Sequence, residues 1–160
     1  MGVPARCRAW CGWRDPLTWR FLLALFGVGI AAYLSYVALF HQSEVFCTGL
    51  GDCRKVQTSV YARILGVPVA VLGLGMYAAL VALIGSRLWM RERSSRVFVV
   101  WTFALALAGA LYSGYLTYLE LFHIDAICEW CVASTTVVTA ILLLSGGDVR
   151  VGSRPEDAAV

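Results

Sequence analysis

Four long apolar runs decide what this chain can fold into. Residues 21–40 carry no charged side chain, 64–86 and 97–119 are uncharged between bounding arginines and Glu120, and 126–145 hold only Glu129 near their start. A helix needs about 20 residues to cross a hydrocarbon core of about 30 Å, and each run reaches that length. Lipid offers no partner to an exposed backbone, so each span is expected to satisfy its own hydrogen bonds as a helix. With 60% hydrophobic and 14% charged side chains in 160 residues, the composition lies well above the roughly 45–50% apolar content of soluble domains. The expected fold class is an all-α membrane protein, a four-transmembrane-helix bundle.

The runs predict helices over about 19–40, 64–86, 97–119 and 126–145, a loop over 41–63, and tails over 1–18 and 146–160. The first run exceeds the 7–15 residues of a signal-peptide core and is followed by no small-x-small cleavage site, so it reads as a retained helix. Ten of the thirteen Lys and Arg residues fall in the tails and the second connection, as Arg6, Arg8, Arg14, Arg20, Arg87, Arg91, Arg93, Arg96, Arg150 and Arg154. Arg54, Lys55 and Arg63 occupy the first connection. This bias places both termini in the cytoplasm and makes the first loop extracytoplasmic. The net charge of +3 follows from that sidedness and calls for no nucleic-acid partner; the lipid bilayer is the partner of the apolar surface. Small residues at four-residue spacing, Gly27 with Ala31 and Ala106 with Ala110 and Gly114, predict close helix approaches.

Of the six cysteines, four share the outer side under this topology: Cys47 and Cys53 as C-x5-C in the first loop, Cys128 and Cys131 as C-x2-C opening the last run. Thiols on an oxidising face are either bonded or engaged in exchange. Asp125 is a candidate N-cap for the last helix, which would set Cys128 in its first turn, where the dipole and free N–H groups favour a thiolate. Cys131 would lie about 4.5 Å deeper, at a rise of about 1.5 Å per residue, close to a hydrophobic electron carrier. Buried core cysteines, a static loop disulfide and a four-cysteine zinc site are the competing readings. Gly49 and Gly51 supply a mobile turn beside Cys53, which favours exchange over a staple. Cys7 and Cys11 in the basic tail are expected to remain reduced thiols.

The C-x5-C pair, the S-V-Y-A around Ser59, the G-V-P at Gly66 to Pro68 and the C-E-W-C at Cys128 to Cys131 together resemble the vitamin K epoxide reductase family, over most of residues 19–145. Within it, the resemblance is to bacterial quinone-linked members that form disulfides. It implies a membrane quinone, ubiquinone or menaquinone, inside the bundle, and electrons arriving from a secreted thioredoxin-fold protein. Matching positions would have Cys47 meet that partner, Cys53 exchange with Cys128, and Cys131 face the quinone with Ser59 at its pocket. Tyr112, Tyr115, Tyr118 and Phe122 recur at roughly helical spacing and offer Tyr115, Tyr118 and Phe122 as further pocket walls, or else as packing and interfacial belt. The alternative for Ser59 is the cap of a short helix over 60–65; His41 and His123 are either proton carriers or interfacial polar groups.

The resemblance has departures. Val132, Ala133, Ser134 and Thr135 stand where the vertebrate vitamin K enzymes carry T-Y-A, which favours quinone-driven thiol oxidation over reduction of vitamin K quinone or epoxide. A thioredoxin-like domain is also missing, so the partner is expected to be a separate chain. The localisation implied is a multi-pass protein of a bacterial inner membrane. The alternative outside enzymology is a four-helix scaffold with a structural loop disulfide.

Overall fold

The computed structural model describes residues 16–40, 46–47, 52–89 and 96–151, with side chains as far as residue 147. Cys7, Cys11, His41, Gly49, Gly51, Arg6, Arg8, Arg14, Arg91, Arg93 and Arg154 lie outside the described residues, so the readings placed on them stand as sequence expectations. The elements are α1 (Pro16–Phe40), α2 (Cys53–Gln57), a 3-10 turn (Val60–Ala62), β1 (Arg63–Ile64), β2 (Val67–Pro68), α3 (Val69–Trp89), α4 (Arg96–Leu119), a π-turn (Glu120–Ile124) and α5 (Glu129–Val151). Among these, α1, α3, α4 with its π-turn, and α5 are long and apolar enough to cross a membrane. The chain is a multi-pass membrane protein of the expected all-α class.

The element bounds differ from the sequence reading in two informative places. The second spanning helix starts at Val69 rather than near 64, because Leu65 (φ 52°) and Gly66 (φ 85°) reverse the chain. Arg63 pairs with Pro68 and Ile64 with Val67. Two consecutive positive φ values are what a two-residue hairpin of the right twist requires. The last helix starts at Glu129 rather than 126 and continues to Val151, beyond the expected end near 145.

The bundle core is built where the four helices meet, from Ala24, Ile30, Ala31 and Leu34 of α1, Tyr77, Leu80 and Ile84 of α3, Ala106 of α4, and Val137, Val138 and Ile141 of α5. A Cβ at Gly27 would overlap the Tyr77 ring, and one at Gly85 would lie 3.2 Å from Phe21. These two contacts fix α1 and α3 as antiparallel neighbours pressed together at a glycine. On α4 the close approach falls at Gly109, against Met76 and Val138, while a Cβ at Gly114 would meet nothing within 4 Å. The expected small-residue face on α4 therefore ends before Gly114. Hydroxyls inside α5 bond back along the helix, Thr135 to the Cys131 carbonyl at 2.9 Å and Thr139 to the Thr135 carbonyl at 2.7 Å. This is how a polar side chain is satisfied in an apolar span.

Candidate active site

One end of the bundle gathers all four expected cysteines. Cys53, Val56, Ile124 and Cys128 form a buried cluster, with Cys47, Ala126, Trp130 and Cys131 packed against it. Cys47 and Cys53 are joined in a disulfide with Cα atoms 6.4 Å apart, and Cys128 and Cys131 are free thiols. Cys53 is 1% exposed and Cys128 fully buried, so both are shielded from water within this cluster.

Each cysteine is placed by identifiable local chemistry. Asp52 caps α2, its carboxylate accepting from the Lys55 amide at 3.0 Å, which sets Cys53 as the first helical residue. Cys47 is held from the other side of the loop. The Phe46 carbonyl accepts from Trp130 Nε1 at 2.9 Å, and the Phe46 amide donates to the Tyr33 hydroxyl at 3.2 Å. The Tyr33 and Trp130 rings pack at 5.0 Å between centroids. Trp130, inside the C-x2-C itself, thus ties the loop cysteine to the helix bearing the inner pair.

The turn before α5 corrects the expected cap. Asp125 does not cap the helix; it takes the left-handed conformation (φ 49°, ψ 44°) and closes the π-turn, its amide donating to the Glu120 carbonyl. Aspartate tolerates that region better than most residues. The Glu120 carbonyl also accepts from the Ala126 amide at 3.2 Å. Its buried carboxylate accepts from the Cys128 amide at 3.1 Å. Cys128 itself then sits at the cap position of α5, its carbonyl accepting from the Val132 amide at 3.0 Å. In place of an aspartate oxygen, the Cys128 sulfur receives the first N–H groups of the helix.

Those donors set its acidity. The Cys131 thiol donates to the Cys128 sulfur and is the largest influence lowering its pKa; burial opposes it, and the backbone amides of Cys131 and Trp130 add to the lowering. Cys128 is therefore held below the ordinary thiol value, chiefly by the Cys131 thiol and less by the helix-start amides that the sequence pointed to. Because the folded-state pKa is depressed, the stabilisation is present above the unfolded thiol pKa and is lost as pH falls through the folded one. A titration of thiolate ultraviolet absorbance in the Cys47–Cys53 oxidised form should show this group ionising early. Cys131→Ala, which removes the strongest donor, should move the transition upward toward the ordinary value; an unmoved transition would show that Cys131 does not set it.

Next to this cluster, between α1, α3, α4 and α5 and beneath the hairpin, lies a cavity of about 390 Å³. Cys131, Ser59, Tyr77, Tyr112 and Glu120 are in its wall, among mostly apolar neighbours. Its volume lies in the range of small-molecule sites, about 300–1,000 Å³. Of the residues expected to bind a cofactor, Cys131 and Ser59 line the cavity. Tyr115, Tyr118 and Phe122 do not; they are 53%, 52% and 67% exposed, and the Tyr118 and Phe122 rings pack on each other at 4.7 Å. The reason is helical arithmetic. A step of three residues turns the helix about 300°, so a stripe at that spacing drifts about 60° each time. Tyr112 faces the cavity and its successors rotate onto the outer surface, where the π-turn carries Phe122 further away.

Ser59 precedes the 3-10 turn but makes no side-chain cap; its hydroxyl donates to the Val56 carbonyl at 2.8 Å. His123 is exposed, against the Tyr61 and Tyr118 rings and outside the cavity wall. Glu129 faces the loop disulfide, one carboxylate oxygen lying within 4.8 Å of both the Cys47 and Cys53 sulfurs. That group has the composition of a metal site, but its two sulfurs are joined to each other. Two contributors escaped the sequence reading: Glu120, visible there only as an acidic residue ending an apolar run, and the pair Tyr33 and Trp130.

Residues 18–145 match the vitamin K epoxide reductase family. The chain belongs to that family. The thiol-disulfide oxidoreductase LTO1 of Arabidopsis thaliana is 31% identical over 126 residues, which is 74% of this chain and 33% of that protein. The chain thus spans about a third of the length of this relative. Among the described residues, the matched family region covers nearly all of the four spanning helices and both cysteine pairs, so the site described above lies in the family's own segment of the chain.

Proposed function

We propose that the chain is a membrane thiol oxidoreductase that forms disulfides in a separate thioredoxin-fold protein and delivers the electrons to a membrane quinone. The observation that carries this reading is the shared position of Cys131, which packs against the buried cysteine cluster and also lines the apolar cavity. A thiol relay needs an outer pair open to a protein, an inner pair open to a carrier, and a dry contact between them. Cys47 is part-exposed, Cys53 and Cys128 are buried together, and Cys131 reaches the cavity.

The steps balance as exchanges. A partner thiolate attacks Cys47 and releases Cys53 as a thiolate; Cys53 attacks Cys128 of the oxidised inner pair and releases Cys131 as a thiolate. The partner's second thiolate attacks the partner sulfur bonded to Cys47 and leaves as oxidised partner, freeing Cys47, which attacks Cys53 of the Cys53–Cys128 bond, completing the outer disulfide and freeing Cys128. A quinone held beside Cys131 would then accept the two electrons and two protons of the inner dithiol. The lowered pKa of Cys128 makes it a good leaving group in the exchange with Cys47, since low-pKa thiols leave faster. The basic residues on the opposite connections favour an extracytoplasmic position for the cysteines, and a bacterial inner membrane is the setting proposed.

The test is optical. Protein purified in detergent is given reduced thioredoxin-fold protein and either ubiquinone or menaquinone, and quinone reduction is followed for wild type and Cys131→Ala. Turnover in the wild type and none in the variant is expected. A folded wild type inert toward both quinones would overturn the reading in favour of a structural disulfide in a membrane scaffold.

A further inference from the structure

We propose that Glu120 is the catalytic proton acceptor for the inner cysteine pair, an inference that rests on the thiol-oxidase reading above. Oxidising a dithiol releases two protons with its two electrons, and in a dry site each must go to a defined group. Among the described residues, Glu120 is the acidic side chain in the cavity wall. It is 2% exposed. A carboxylate is rarely so buried without a specific arrangement to hold it.

That arrangement points at the reacting sulfurs. The Cys128 amide donates to Glu120 Oε2 at 3.1 Å, and Glu120 and Cys131 line the same cavity. Glu120 therefore touches the backbone of one reacting cysteine and shares the cavity wall with the other, bordering the space assigned to the acceptor. The π-turn is what puts it there. Extra residues in that turn, closed by left-handed Asp125, fold the chain back so that Glu120 meets residues eight and eleven positions on.

The step is a proton transfer followed by electron transfer. The Cys131 S–H bond breaks, its proton moves to a Glu120 carboxylate oxygen, and the bonding electron pair remains on the Cys131 sulfur. As the Cys128–Cys131 bond forms, two electrons leave for the acceptor, and Glu120 releases its proton toward the cavity. The second proton comes from water, because Cys128 is already held toward its thiolate, first by the Cys131 thiol and then by the amides of α5. His123, exposed and outside the cavity wall, takes no part.

A substitution pair separates this role from a structural one. Glu120→Gln preserves shape and keeps an oxygen for the Cys128 amide but cannot take a proton; Glu120→Asp keeps the acid and shortens its reach. In single-turnover oxidation of the inner pair by quinone, Glu120→Gln should be slowed about 100-fold, the lower end of what a positioned acid or base contributes. Glu120→Asp should be faster than Glu120→Gln, and the part of the pH dependence set by the carboxylate should be lost in Gln but survive in Asp, while that of the Cys128 thiol stays in both. Equal or better rates in Gln than in Asp, with an unchanged pH profile, would overturn the proposal and leave Glu120 as a clamp on the turn.

Two further readouts keep the result decisive. Oxidation of the same pair by diamide, which also takes two electrons and two protons, should show the same order, and so judges Glu120 even if no quinone is reduced by the wild type. Where Glu120→Gln fails to fold, wild-type oxidation by diamide in heavy water should still be slowed if the thiol proton moves with the rate-limiting step; an isotope-independent rate would sink the idea.

Discussion

Cys53→Ser abolishes turnover driven by a protein partner while leaving reduction of quinone by a small dithiol intact. The asymmetry follows from burial. Cys128 is fully buried behind Cys53 and Val56, so a folded partner cannot reach the inner pair, whereas a small dithiol can enter through the cavity to Cys131. Without Cys53 there is no outer disulfide to receive electrons and no thiolate to pass them on. Rates with the partner should fall to the uncatalysed background, as expected when a nucleophile acting as part of a unit is lost. The fold should survive. Closing a loop with a sequence separation of 6 is worth about 2 kcal/mol in the chain-entropy account, small against four packed spanning helices. Steady-state assays with both donors, read alongside thermal unfolding, separate the outcomes. Partner-driven turnover near wild type in Cys53→Ser would mean that the partner reduces the inner pair directly, and the two-pair relay would be wrong. Cys7→Ser and Cys11→Ser should change neither assay.

The bundle was legible because its signal is long. A run of about 20 apolar residues has one stable outcome in lipid, and the chain contains four. The cysteine pairs were legible too, since spacing and sidedness together restrict what thiols can do. What the sequence hid is short-range and three-dimensional. The hairpin at Leu65 and Gly66 lies inside an apolar run and merges with it in any window of membrane length. Periodicity at three residues presented Tyr112, Tyr115 and Tyr118 as one face, though only the first points inward. Asp125 carries the composition of a helix cap, yet it closes the preceding turn, and the cap position passes to Cys128. Glu120 looked like the polar end of a span because nothing in the local pattern announces a carboxylate folded back over a later cysteine. In each case the deciding interaction joins residues that neighbouring-residue rules do not connect.

Tyr77→Ala should be the most destabilising substitution in the bundle core. Tyr77 is 1% exposed, its ring fills the notch at Gly27, and its hydroxyl donates to the Ser134 carbonyl at 2.8 Å, with the Ser134 hydroxyl 3.1 Å away. Truncating a buried aromatic ring to Ala costs about 3–5 kcal/mol, and the lost hydrogen bond contributes about 1 kcal/mol of such a change. Tyr77→Phe should therefore cost about 1 kcal/mol, which separates ring from hydroxyl. Unfolding in detergent checks the order; an Ala variant as stable as the Phe variant would show that the ring is not the wedge between α1 and α3. The pairing with Gly27 gives a second, independent check. In the wild-type background Gly27→Ala drives a methyl into the Tyr77 ring, a clash of about 1–3 kcal/mol, whereas beside Tyr77→Ala the same methyl enters the space the ring vacated. The double variant should thus be more stable than the two single effects add up to, because residues in direct contact couple by about 0.5–3 kcal/mol. The same ring forms part of the cavity wall, so its removal enlarges the space beside Cys131. Quinone affinity should fall together with stability in Tyr77→Ala and remain near wild type in Tyr77→Phe, linking the packing of α1 on α3 to the shape of the site.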